Sequence, residues 1–121
     1  MAGYLTTHVL DTVRGCPAAG VRIEVWRTGP AEENERRLVK VVYTNADGRT
    51  DGPVLADTEF GAGVYELVFG VGPYFAADYL AGTAYPFLDE VPIRFGVADP
   101  GSHYHVPLLM SPWAYSTYRG S

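Results

Sequence analysis

A single cysteine, Cys16, is all the chain carries, so no disulfide can form within its 121 residues. The fold must be held by its own core, and a reducing, cytoplasmic setting is the expectation. Long apolar runs are missing too. None approaches the ~20 residues that span a bilayer, so no membrane partner is expected. The opening stretch, Met1 to Leu10, has neither a basic head nor an apolar centre, and no secretory signal is expected there. Positive charge is scarce: nine Lys and Arg against fourteen Asp and Glu give a net charge of −5. That balance repels phosphate backbones and argues against a nucleic-acid partner. Familiar catalytic signatures are absent as well. There is no G-x-S-x-G elbow for a serine nucleophile, and no G-x-G-x-x-G or P-loop for a nucleotide phosphate. Asp89 and Glu90 adjoin, so on a strand they face opposite ways and make no carboxylate pair. Cys16 falls in a predicted turn beside Pro17, away from any basic cluster, and is read as inert.

What the chain does have is punctuation. Nine prolines and fourteen glycines separate short runs rich in Val, Ile, Tyr and Phe. That spacing predicts an all-β fold, a two-sheet sandwich of seven to eight strands with one short helix, in a single domain over residues 1–121. Strands are predicted over Tyr4 to Leu10, Val21 to Arg27, Leu38 to Thr44, near Pro53 to Leu55, Val64 to Phe69, Pro86 to Val97, Ser102 to Met110 and Trp113 to Ser121. In the first, Leu5, Thr7 and Val9 point one way and Thr6, His8 and Leu10 the other, because side chains alternate with period two. Residues 29–37 are polar and read as a hairpin loop. Asn45-Ala46-Asp47-Gly48-Arg49 reads as a turn, since Asp-Gly tolerates positive φ. Tyr74 to Leu80 is the predicted helix, and Pro92 marks its strand as an edge or a bulge.

The titratable groups are few enough to weigh singly. His8, His103 and His105 are the only histidines. His103 and His105 form H-x-H on one predicted strand, sharing a face roughly 7 Å apart. Imidazole is the usual general base near neutral pH, but from the pair alone a polar face with two solvated rings is the simpler reading. Three histidines could also hold zinc with one open position, although no carboxylate sits at ligand spacing. The chain end is unusual in composition: Tyr115-Ser116-Thr117-Tyr118-Arg119-Gly120-Ser121 keeps aromatic and β-branched residues where ends normally fray. It is either a packed last strand or a terminus held in a site. Alternation places Ser116, Tyr118 and Gly120 on one face and Thr117, Arg119 and Ser121 on the other, with the last residues free to twist out.

Three segments together resemble one family: Leu5-Thr6-Thr7-His8-Val9-Leu10-Asp11 with Gly15-Cys16-Pro17-Ala18, then Thr44-Asn45-Ala46-Asp47-Gly48-Arg49, then His103-Tyr104-His105-Val106-Pro107-Leu108-Leu109 with the Tyr115 to Ser121 ending. The family is that of the 5-hydroxyisourate hydrolases, relatives of transthyretin. The likeness spans essentially the whole chain, and Tyr118-Arg119-Gly120-Ser121 is its most specific part. The resemblance implies a transthyretin-like sandwich that assembles as a homotetramer, with sites in a channel between dimers. It implies His8, Arg49, His105 and Ser121 as catalytic residues, Tyr118 and Arg49 as substrate contacts, and His103 as a second-ranked candidate. The reaction it implies is hydrolysis of 5-hydroxyisourate to 2-oxo-4-hydroxy-4-carboxy-5-ureidoimidazoline in urate degradation, with no metal and no cofactor required. Two other readings stay open at this point: a transthyretin-type carrier of a small ligand, and a zinc-dependent cyclic amide hydrolase using His8, His103 and His105.

Overall fold

Alternating apolar residues bury one face of each strand, and two such faces close on each other. The computed structural model describes residues 3–28, 36–78 and 84–121. Its elements in chain order are β1 (Tyr4–Asp11), β2 (Cys16–Pro17), β3 (Arg22–Arg27), β4 (Arg37–Tyr43), β5 (Leu55–Ala56), a 3-10 turn (Asp57–Glu59), β6 (Gly63–Gly70), α1 (Val71–Phe75), β7 (Glu90–Val97), β8 (His103–Met110) and β9 (Tyr115–Thr117). One sheet runs β2-β1-β8-β9, with β5 also pairing β1, and the other runs β4-β3-β6-β7. Leu5 and Val9 of β1 and Leu108 and Met110 of β8 share a buried core with Ile23, Val25, Leu67, Phe69 and Val91. Each large aliphatic or aromatic side chain buried this way contributes about 1.5–3 kcal/mol. Among the described residues, every buried polar side-chain atom has a hydrogen-bond partner.

The pairing that matters most for function joins the two ends of the chain. β1 and β8 run parallel, from Tyr4 opposite His103 to Asp11 opposite Met110. The buried Thr7 hydroxyl donates to the Val106 carbonyl at 2.7 Å and helps lock this register. Asp11, buried at the end of β1, accepts from the N–H groups of Val13 (2.9 Å) and Arg14 (3.0 Å), the Arg14 guanidinium (2.7 Å) and the Tyr74 hydroxyl (2.9 Å). Burial works against its charge, yet these donors hold the carboxyl below the usual carboxylate range. Burial, with the Asp11 charge beside it, pushes the Tyr74 hydroxyl up to about 12. The helix is thereby tied to the strand that carries His8.

Several expectations move. α1 begins at Val71, directly off β6, and Pro73 lies in its first turn, where no intrahelical donor is missed. Gly72 there donates to the Asp89 carbonyl at 2.8 Å, and a Cβ would sit 2.4 Å from the Asp89 carboxylate. Tyr79 and Leu80, predicted in the helix, lie outside the described residues, as does most of the polar loop expected at 29–37. Cys16 is in the short strand β2, paired with Asp11, rather than in a turn. Pro92 is on β7, an edge strand as expected. The last strand is shorter than predicted. Leu108 pairs with Thr117, and His105 rejoins Gly120 in the same register, but Pro107 between them has no N–H to give. Its carbonyl is taken by the Thr117 hydroxyl at 2.7 Å, and regular pairing stops there.

Candidate active site

The inner faces of β1 and β8 fill the core, so their outer faces present Tyr4, Thr6 and His8 beside His103 and His105. Thr6 stands opposite His105 in the parallel register. Its hydroxyl lies 2.7 Å from His105 Nδ1 and 2.7 Å from His103 Nε2. The His103 ring stacks on Tyr4 with centroids 4.2 Å apart and planes 14° from parallel. The two imidazole centroids are 6.1 Å apart, close to the spacing expected along one strand.

Arg49 reaches this face through its turn. Asn45 Oδ1 accepts from the N–H of Asp47 at 2.9 Å and of Arg49 at 3.2 Å, and Asn45 N–H donates to the Arg49 carbonyl at 2.7 Å. Gly48 has φ +75°, and a Cβ there would lie 2.4 Å from the Val9 carbonyl, so only glycine lets the turn settle on β1. The Gly48 carbonyl accepts from Val9 N–H at 2.8 Å. The same turn fixes His8, whose Nε2–H donates to the Asp47 carbonyl at 2.9 Å. A carbonyl only accepts, so the His8 proton is on Nε2.

The chain end closes the site. Gly120 N–H donates to the His105 carbonyl at 2.8 Å, and a Cβ on Gly120 would meet His105 Cδ2 at 2.4 Å. Past Gly120 the chain leaves strict alternation. Ser121 lines a hollow of about 540 Å³ together with Tyr4, Thr6, Arg49, His103 and His105. Burial first, then the neighbouring His103, Arg49 and His8, push the His105 imidazole below its ordinary range. A neutral ring with a free lone pair at neutral pH is what a general base needs.

A family model described as HIUase/Transthyretin matches residues 5–120. The chain belongs to this family. Full-length HIUase/Transthyretin relatives include 5-hydroxyisourate hydrolase 2 of Rhizobium meliloti, 54% identical over 99% of this chain and 98% of its own. The 5-hydroxyisourate hydrolase of Halalkalibacterium halodurans is 53% identical over the whole of both chains. Among solved structures, (S)-allantoin synthase superposes with a TM-score of 0.89 at 51% identity, over 99% of this chain. This chain spans 44% of that longer one. Klebsiella pneumoniae 5-hydroxyisourate hydrolase superposes with a TM-score of 0.74 at 33% identity, over 98% and 99% of the two chains. A sea bream transthyretin in complex with thyroxine gives 0.81 at 26% identity, over 96% and 93%.

The HIUase/Transthyretin fold thus brings Arg49, His105 and Ser121 to one hollow, with His8 on the same strand face and within electrostatic reach of His105. Tyr118 is placed elsewhere. It is 61% exposed and borders a second hollow with Phe95, Tyr104 and Arg119. The three histidines do not converge as zinc ligands. His103 Nε2 and His105 Nδ1 both turn to Thr6, His8 Nε2 turns to a carbonyl, and among the described residues no group of three or more candidate ligands comes together. Tyr4, Thr6 and Gly120 escaped the sequence reading as site residues. Alternation placed Thr6 beside His8, but only the parallel register seats it between the two imidazoles.

Proposed function

We infer that this chain hydrolyses 5-hydroxyisourate, opening its ring with water at the outer face of β1 and β8. The observation that carries this reading is the convergence of His105, Arg49 and Ser121 on one hollow, in a chain whose full-length relatives bear that enzyme's name. The reaction is a step of urate degradation, and a cytoplasmic setting fits the single cysteine. His105 takes a proton from water through Nε2, the ring nitrogen that Thr6 does not occupy. Water then adds to a ring carbonyl and the adjacent C–N bond breaks. Arg49 stabilises the oxyanion as it develops, and its planar fork suits the paired oxygen and nitrogen edge of the substrate. His8, on the flank beside Asp47, partners His105, and the Ser121 end orients an imidazole or a substrate donor. A carrier would need an apolar hollow, whereas this one holds two histidines and an arginine. No metal is required in this scheme.

The test is kcat/KM for ring opening across pH, followed by loss of 5-hydroxyisourate absorbance. The base must be neutral to act. Its pKa is held below the ordinary histidine value of ~6.5, so the acid limb has its midpoint below ~6.5 and activity is full above it. Absence of ring opening at every pH rejects the function, and a midpoint above ~6.5 rejects His105 as the base.

The working unit is a homotetramer with sites shared between copies. The hollow is open in one chain, and Tyr118, the expected substrate contact, lines a different one, so a neighbouring copy is the route by which a tyrosine reaches substrate. β7 and β9 are sheet edges, and Trp113 and Tyr115 are exposed beside the β9 edge. Closed symmetric assembly is the usual solution for such edges. Sedimentation at assay concentrations should find a tetramer that carries the activity. A fully active monomer would refute the shared site.

A further inference from the structure

The hydrolase reading uses His105 and leaves the Thr6 hydroxyl and His103 without a task. Yet Thr6 Oγ1 is held at 2.7 Å from both imidazoles, and His103 is clamped on its other side by the Tyr4 ring. A threonine hydroxyl has one proton and two lone pairs. If it donates to one imidazole, it is free to accept from the other. We propose that Thr6 and His103 are positioning residues that share the catalytic proton: the Thr6 hydroxyl accepts from His105 Nδ1–H and donates to His103 Nε2, which turns the His105 Nε2 lone pair to the hollow. The proposal rests on the hydrolase reading above.

The protons balance at each step. Neutral His103 carries its proton on Nδ1 at the start. Water gives a proton to His105 Nε2, and the hydroxide forms its bond to the ring carbonyl carbon. The His105 Nδ1 proton passes to Thr6 Oγ1, and the Thr6 proton passes to His103 Nε2. His105 is then neutral with its proton on Nε2, facing the nitrogen that must leave. As the C–N bond breaks, that nitrogen takes the Nε2 proton, and the two relay protons return through Thr6. The threonine and both imidazoles end as they began, and nothing is oxidised or reduced. The opposite arrangement, with Thr6 donating to His105 Nδ1 at rest, would place an N–H where the lone pair is needed. It would also aim that N–H into a hollow that already holds the Arg49 cation, with His8 alongside. The groups that bear on the relay are therefore His8 and Arg49 on the hollow side, Tyr4 behind His103, and Ser121 across the hollow.

The test compares wild type with Thr6→Val, Thr6→Ser, His103→Gln and His105→Ala. Two readouts are used: kcat for 5-hydroxyisourate, and the protonated nitrogen of His105 by long-range ¹H–¹⁵N correlation at a pH where all imidazoles are neutral. The expected result is His105 protonated on Nδ1 in wild type and in Thr6→Ser. Thr6→Val, which keeps the shape and removes the hydroxyl, loses that preference and ~10-fold or more in kcat, with KM little changed, part of the ~10²–10⁴ that a positioned base supplies. His103→Gln loses kcat to a similar extent. Circular dichroism and thermal unfolding identify any variant that fails to fold, and the tautomer measurement on wild type stands without the variants. A wild-type His105 protonated on Nε2 overturns the proposal. So does a Thr6→Ser variant as impaired as Thr6→Val, which would mean that packing rather than the hydroxyl matters. If wild type itself does not open the ring, the hydrolase reading fails instead. If wild type is active, His105→Ala is inactive and both Thr6→Val and His103→Gln behave as wild type, the reading stands and the relay falls.

Discussion

His105→Ala and Arg49→Ala should each lower kcat/KM by at least ~100-fold, equivalent to about 2.7 kcal/mol of transition-state stabilisation. The two losses have different origins. Without the imidazole, water must surrender its proton unaided, and a positioned base contributes ~10²–10⁴-fold. Without the guanidinium, charge on the carbonyl oxygen develops with no cation facing it, and one lost oxyanion donor commonly costs ~10²–10³-fold. His103→Ala should lose much less, since its ring acts through Thr6 rather than on water. The measurement is steady-state kinetics on the three variants, with circular dichroism to confirm folding. If His103→Ala falls further than His105→Ala, the assignment within H-x-H is reversed.

Gly120→Val should be nearly as damaging, although residue 120 carries no reactive group. A Cβ at this position would lie 2.4 Å from His105 Cδ2, 3.0 Å from Cγ and 3.1 Å from Cβ. The clash reaches the root of the side chain as well as its tip, so the ring cannot relieve it by a small rotation. Thr6 and the Gly120-to-His105 backbone bond restrain movement the other way. The imidazole must shift, the tail must lift, or both, and a misplacement of ~1 Å can cost ~10²-fold in rate. The loss should appear mainly in kcat. Stability should change little, because Gly120 lies outside the core. Activity within a few-fold of wild type would show that the tail does not set the ring's position.

Much of this was legible in the chain, and the reasons are local. Alternation in Tyr4–Asp11 and His103–Met110 separates buried from outward side chains, and the outward set contains every histidine. Asp47-Gly48 marks the turn that delivers Arg49, and the crowded composition of the last residues marks an end with a structural task. What was not legible depends on pairings far apart in sequence. Thr6 and His105 meet across 99 residues, and no local pattern sets the parallel register that brings them together. The break in β9 needs Pro107 on the neighbouring strand, which a reading of residues 113–121 alone does not include. The helix starts earlier than its apolar spacing predicts, because Gly70 runs straight from β6 into Val71.

The activity proposed for this outer-face cluster is opening of the 5-hydroxyisourate ring. The most direct measurement generates 5-hydroxyisourate in place with urate oxidase and follows its absorbance with and without the purified chain, in the presence of a metal chelator. Decay should accelerate in proportion to the chain added, be indifferent to chelation and fall to the background rate with His105→Ala. Decay at the background rate with wild type, or acceleration that chelator abolishes and zinc restores, would contradict it.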